Sequence, residues 1–156
     1  MSALLPESKT SLRYLVDDYD MRQIRVAFGL GGFEEIGSGR HRVTFRNPYT
    51  SSVIKVPHSR AGEDANKNEY DMFVRLKDPR LARCSIEVFE GVKILHMEEV
   101  VDAAPCALSA GEFYRKNRQK FEPWCGECDG GQCGWTRDGR LVAWDYANHE
   151  YVFKRK

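Results

Sequence analysis

The alternation of apolar and polar positions divides the chain into short elements. From Ser11, the residues Leu12, Leu15, Tyr19 and Met21 recur among charges at roughly helical spacing. They predict a helix or helical pair to about Phe28, closed by Gly29 and the Gly31-Gly32 pair. A period of two then takes over. Phe33-Glu34-Glu35-Ile36 leads into Gly37-Ser38-Gly39, and in the segment that follows His41, Val43 and Phe45 lie on one side with charges opposite. Asn47-Pro48 marks a turn, and Ser52-Val53-Ile54-Lys55-Val56 is a further strand ended by Pro57. Residues 33–57 therefore predict three antiparallel strands. Residues 61–77 predict a helix with Ala65, Tyr70, Phe73 and Leu76 apolar and Asp64, Lys67 and Glu69 polar, closed by Asp78-Pro79. Two strands follow, Ser85 to Phe89 and Val92 to Met97, joined through Glu90-Gly91. Ser109 and Glu112 have capping-box spacing and open a helix to about Phe121. After a Cys- and Gly-rich loop over 124–134, Arg137-Asp138-Gly139-Arg140 is a hairpin turn between Trp135 and Leu141-Val142-Ala143-Trp144.

This order predicts an α+β fold: a five-stranded antiparallel N-terminal sheet with one packed helix, then a reduced helical part. At 156 residues the chain is long enough for one core, and its 42% apolar content separates it from disordered sequences. A formal net charge of +1 provides no global field toward nucleic acid or membrane. The short basic clusters at 115–120 and 154–156 are expected to be a solvated helix face and a tail. No apolar run approaches the roughly 20 residues that span a bilayer. No secretory leader is evident at Met1-Ser2-Ala3-Leu4-Leu5-Pro6-Glu7, and five cysteines is an odd count. These features predict a cytoplasmic protein with free thiols, and no membrane or nucleic-acid partner.

Three features carry chemistry. Gly37-Ser38-Gly39 between two strands allows the backbone to pass close over phosphates, although a tight β-turn explains it equally well. Lys55 lies sixteen residues after Gly39 among Val53, Ile54 and Val56, where a lysine is costly unless paired. Glu69, on the next helix, is its natural partner. Finally, Glu127, Gln132 and Asp145 are spaced by five and then thirteen residues.

Together these residues resemble the protein-kinase-like superfamily over about residues 33–147. Gly37-Ser38-Gly39, Lys55 and Glu69 resemble its N-terminal lobe, which the chain would place at 33–100, after a helical segment at 11–28. Leu95-His96-Met97-Glu98-Glu99-Val100 resembles its hinge. There Met97 would stand behind an adenine, and the backbones of Glu98 and Val100 would bond its edge. Cys125-Gly126-Glu127, Gln132 and Asp145-Tyr146-Ala147 resemble the catalytic loop and the metal-binding Asp element, in a form closer to aminoglycoside phosphotransferases and small bacterial or phage kinase-like proteins. The resemblance implies a single kinase-like domain over 1–156, with ATP and magnesium as cofactors and Gln132 and Asp145 on the metal.

The departures alter the implied chemistry. Arg42 stands at the third glycine position, Cys125 at the catalytic-loop histidine, Glu127 at the base normally held by Asp, and Gln132 at the metal-ligand Asn. A base displaced by about 1 Å can lose on the order of 100-fold in rate. Little chain follows Ala147, so the expected C-terminal lobe at 101–156 is truncated, without an activation loop or substrate platform. The expectation is a catalytically degenerate kinase-like protein, a pseudokinase, that binds and modulates a protein partner and holds nucleotide weakly. Such compact chains resemble phage accessory proteins that act on host machinery. The alternative is an active minimal phosphotransferase in which Glu127 serves the acceptor. A second alternative is a zinc-stabilised adaptor built on Cys125, Cys128 and Cys133 with His149 or Cys106. Without a clear fourth ligand, zinc is not expected.

Overall fold

The computed structural model describes residues 11–101 and 133–144. The chain divides into two compact units. One comprises residues to Tyr70 together with Cys84–Met97, and the other comprises Asp71–Arg83 with the residues from Glu98 onward.

The first unit begins with two helices, α1 (Leu12–Asp17) and α2 (Met21–Leu30). The Ser11 hydroxyl caps α1 by accepting from the Tyr14 N–H at 3.3 Å, and Asp20 caps α2 by accepting from the Gln23 N–H at 3.1 Å. Helix α2 runs through Gly29 and stops at Gly31-Gly32, where Gly32 takes a left-handed φ of 86°. Three strands follow: β1 (Glu34–Ser38), β2 (Arg42–Arg46) and β3 (Ser52–Pro57). Helix α3 (Arg60–Leu76) connects them to β4 (Cys84–Phe89) and β5 (Val92–Glu98). Phe89 pairs with Val92, which leaves Glu90 (φ 49°) and Gly91 (φ 78°) as a two-residue left-handed turn. The sheet order is β1-β2-β3-β5-β4. The expected α+β class with a five-stranded antiparallel sheet is what the structure shows.

Each buried strand divides its side chains between two faces. Val43 opposes Val56, and Phe45 opposes Ile54. With Val92 and Ile94, these residues form one core with Leu12, Leu15, Val16, Ile24, Phe28 and Phe33. The N-terminal helices therefore cover the apolar face of the sheet. Phe28 anchors this contact, stacking on Phe45 at 5.1 Å and meeting Phe33 edge-on at 5.5 Å. Because Thr44 opposes Lys55, the residues Arg42, Thr44 and Lys55 share the other face.

Helix α3 departs from the hydropathy pattern. Ala65, Tyr70, Phe73 and Leu76, expected to form its buried side, are only half-buried. Its buried stripe in the first unit is Gly62, Glu63, Asn66 and Glu69. The groups that meet this stripe include the Arg42 and Lys55 side chains and the carbonyls of Lys55 and Lys93, so polar side chains complete the contact.

The second unit contains a three-stranded sheet, β6 (Val100–Val101), β7 (Cys133–Thr136) and β8 (Leu141–Ala143), in that order. The expected hairpin turn joins β7 to β8: the Thr136 N–H donates to the Arg140 carbonyl at 2.8 Å, and the Gly139 N–H donates to the Thr136 carbonyl at 3.0 Å. The addition of β6 as a third strand was not legible from local patterning. The expected helix to Phe121 and the Cys- and Gly-rich loop up to residue 132 lie outside the described residues. Among the described residues no helix is long and apolar enough to cross a membrane.

Candidate functional site

Lys55 on β3 is 2% exposed and Glu69 on α3 is fully buried. The structure brings them together: Lys55 Nζ donates to Glu69 Oε2 at 2.9 Å and to Oε1 at 3.3 Å. A second cation shares the carboxylate, with Arg42 Nη2 donating to Glu69 Oε1 at 2.8 Å. Arg42 Nη1 also donates to Asn66 Oδ1 at 3.1 Å, and Asn66 Nδ2 donates to the carbonyls of Lys55 at 3.0 Å and Lys93 at 2.8 Å. The result is a connected polar network in which a buried carboxylate meets charged donors on both oxygens.

A second network pins α3 one turn earlier. Glu63 accepts from both terminal nitrogens of Arg13, at 2.9 and 2.7 Å, and from the Lys93 N–H at 3.2 Å. Burial pushes the Glu63 carboxyl up, but the Arg13 bonds, the Lys93 N–H and the charges of Arg13 and Arg60 outweigh it and hold the group below its ordinary value. Arg13 also donates to the Gly91 carbonyl at 3.0 Å, so α1, α3 and the β4–β5 turn meet at one guanidinium.

Gly37 lies in β1 and Gly39 in the turn to β2, where the Gly39 N–H donates to the Arg42 carbonyl at 2.8 Å. Neither glycine has a positive φ. An added Cβ would meet nothing within 4 Å at Gly37, and only the Arg42 carbonyl at 4.0 Å at Gly39. The surrounding fold therefore does not require these two glycines for conformation or for space. The ladder between Glu35 and Gly37 is also irregular, with Ile36 as an extra residue in β1. Gly62 is different, because a Cβ there would come within 2.2 Å of the His41 carbonyl oxygen and 2.8 Å of Pro57 Cβ. It lets the start of α3 approach the β2–β3 strands.

The hinge-like residues divide by role. Met97 is buried on β5, opposite Cys84. The Glu98 N–H donates to the Arg83 carbonyl at 3.0 Å, so its backbone could offer a ligand only the carbonyl. The Glu98 carboxylate accepts both contacts from Arg140 Nη2, at 2.6 and 2.8 Å, and the Arg83 N–H at 2.8 Å. Val100 opposes Thr136 in β7. Thr136 directs its N–H and carbonyl toward Arg140 and Gly139, so the antiparallel alternation turns the Val100 N–H and carbonyl away from β7. Among the described residues this orientation leaves both groups on the outer edge of β6.

Glu127, Gln132 and Asp145 lie outside the described residues, as do Cys106, Cys125, Cys128 and His149. Among the described residues, no group of three or more His, Cys, Asp or Glu side chains is placed to hold a metal ion. Sequence reasoning missed the parts played by Glu63 and Asn66, and it placed Arg42 only as a departure from glycine. The alternation that puts Arg42 and Thr44 on the Lys55 face was the available signal. No protein-family model matches the chain, and no curated protein matches it.

Proposed function

We propose that the chain is a kinase-like protein, degenerate in its catalytic loop, that acts by binding and modulating a protein partner and binds nucleotide weakly. The observation that supports this reading most is the buried Lys55–Glu69 ion pair between a strand and the helix packed on it. A lysine and a glutamate removed from water are costly, and an apolar pair of similar size is often no less stable. A functional role for the ammonium accounts for keeping it there. In this reading Lys55 grips phosphate oxygens and Glu69 orients it. The backbone at Gly37–Gly39, where a Cβ added at either glycine would meet no side chain within 4 Å, passes over the phosphates. Magnesium, when bound, would neutralise phosphate charge, and its implied positions are Gln132 and Asp145. Glu127 at the base position and Gln132 at a ligand position are each one methylene longer than the residues of the resembling family, which argues for binding over turnover.

Thermal unfolding with millimolar ATP and magnesium tests the binding reading. A ligand at 100 times its dissociation constant stabilises a fold by roughly 2.7 kcal/mol, so even weak binding gives a measurable shift. Lys55→Ala is expected to abolish the shift while leaving the protein folded. A shift of equal size in Lys55→Ala, or none in the wild type, would sink the nucleotide role. Rapid wild-type phosphorylation of an acceptor, lost in Glu127→Ala, would make the protein an active phosphotransferase instead.

A further inference from the structure

We propose that Arg42 is a positioning residue that holds Glu69 in place independently of Lys55, so that Lys55 can turn to a phosphate without leaving a buried carboxylate unbalanced. The functional meaning of this proposal rests on the phosphate-binding reading of Lys55; the geometry does not. Arg42 sits at the start of β2, on the same sheet face as Lys55. Its guanidinium reaches Asn66 and Glu69, which are three residues apart and therefore adjacent on the surface of α3. A planar fork suits two acceptors so spaced, and a lysine ammonium does not reproduce it. Asn66 has committed its amide hydrogens to the Lys55 and Lys93 carbonyls, so its oxygen faces Arg42 as an acceptor.

The carboxylate is divided between the two cations. Oε1 is closer to Arg42 (2.8 Å) than to Lys55 (3.3 Å), and Oε2 belongs to Lys55 at 2.9 Å. If Lys55 alone balanced Glu69, each phosphate bond made by Lys55 would weaken the only charged partner of a fully buried carboxylate. That penalty would be charged against ligand affinity. With Arg42 in place Glu69 retains a cation throughout. The same contact ties α3 to β2, so the helix is docked before any ligand arrives.

The test uses the full chain with Arg42→Gln and Arg42→Lys. Without nucleotide, amide hydrogen exchange is followed along α3 and along β2 and β3. Separately, binding of ATP with magnesium, and of inorganic tripolyphosphate with magnesium, is measured by calorimetry. In Arg42→Gln, exchange along α3 should rise about tenfold more than in the strands, matching the loss of a hydrogen bond to a charged group. Affinity for both probes should fall by about tenfold for the same reason. Arg42→Lys keeps the charge but loses the fork, so it should recover part of the affinity while α3 continues to exchange faster than wild type. Exchange in α3 that merely tracks the strands in both variants would overturn the proposal, as would unchanged affinity for probes that the wild type binds. If the wild type binds neither probe, the phosphate reading of Lys55 fails. The exchange comparison then decides alone whether Arg42 positions Glu69.

Discussion

Among the described residues Glu69 is shared by two cations, Arg42 and Lys55, and this sharing has a thermodynamic consequence. Glu69→Ala deprives Arg42 and Lys55 of the carboxylate they share, and breaking a buried pair in this way costs about 3–5 kcal/mol. Lys55→Ala leaves Glu69 with Arg42 and should cost clearly less. Urea unfolding of the two variants checks the order; equal losses would mean that Arg42 does not support Glu69. Gly62 gives a second residue-level prediction. Replacing a helical glycine by alanine ordinarily favours the helix by up to about 1 kcal/mol. Here the new methyl would meet the His41 carbonyl oxygen at 2.2 Å, and a backbone atom has little freedom to retreat. Gly62→Ala should therefore destabilise by about 1–3 kcal/mol, the usual range for overpacking. The same substitution at Gly37, with nothing within 4 Å of its added Cβ, should change stability little. If the phosphate reading holds, it should still weaken nucleotide binding.

At the scale of elements, α1 and α2 supply five of the twelve residues of the main core, and Phe28 is the largest of them. Phe28→Ala should cost about 3–5 kcal/mol in denaturant unfolding, as expected for a fully buried aromatic ring. A loss below 1 kcal/mol would show that the helices are not integral to the fold. The Arg13–Glu63 contact adds a pH dependence. The Glu63 carboxyl is held below its ordinary value of 4.5 in the folded protein. Its contribution to stability is therefore complete above that ordinary value and is lost as pH falls through the lower folded value. Glu63→Gln should flatten this part of the acid-unfolding curve, measured as urea midpoint against pH. The two helix faces also show what hydropathy can and cannot reveal. Leu12 and Leu15 were legible because apolar burial leaves an apolar period, whereas Tyr19, read into the same period, is 70% exposed. The buried stripe of α3 was not, because Glu63, Asn66 and Glu69 read as a solvated face unless their partners are known. Lys55 was the exception: a lysine in an apolar strand implies a carboxylate nearby, and Glu69 was identified on that ground.

For the molecule as a whole, the strands of the first sheet and the β7–β8 turn were readable from local alternation and turn chemistry. The pairing of β6 with β7 was not, because two residues of strand carry no period and the contact joins residues more than thirty positions apart. The proposed site divides in the same way: its phosphate-binding half rests on described residues, whereas the chemistry of the loop rests on the spacing of Glu127, Gln132 and Asp145. Binding and turnover can thus be tested separately. Lys55, proposed to grip phosphate, Glu69, proposed to orient it, and Asp145 at a metal position are those the resembling family shares, whereas Glu127 at the acceptor and Gln132 at the other metal position are those that differ. Shortening the latter with Glu127→Asp and Gln132→Asn moves each terminal group back by about one C–C bond. An error of that size is worth on the order of 100-fold in rate when geometry alone is at fault. ATP hydrolysis by the double variant should then rise above wild type while the ATP-induced thermal shift stays constant. If hydrolysis stays at the background level and the thermal shift persists, side-chain length in the loop is not what prevents turnover. The nucleotide would then serve as a structural ligand of a binding protein.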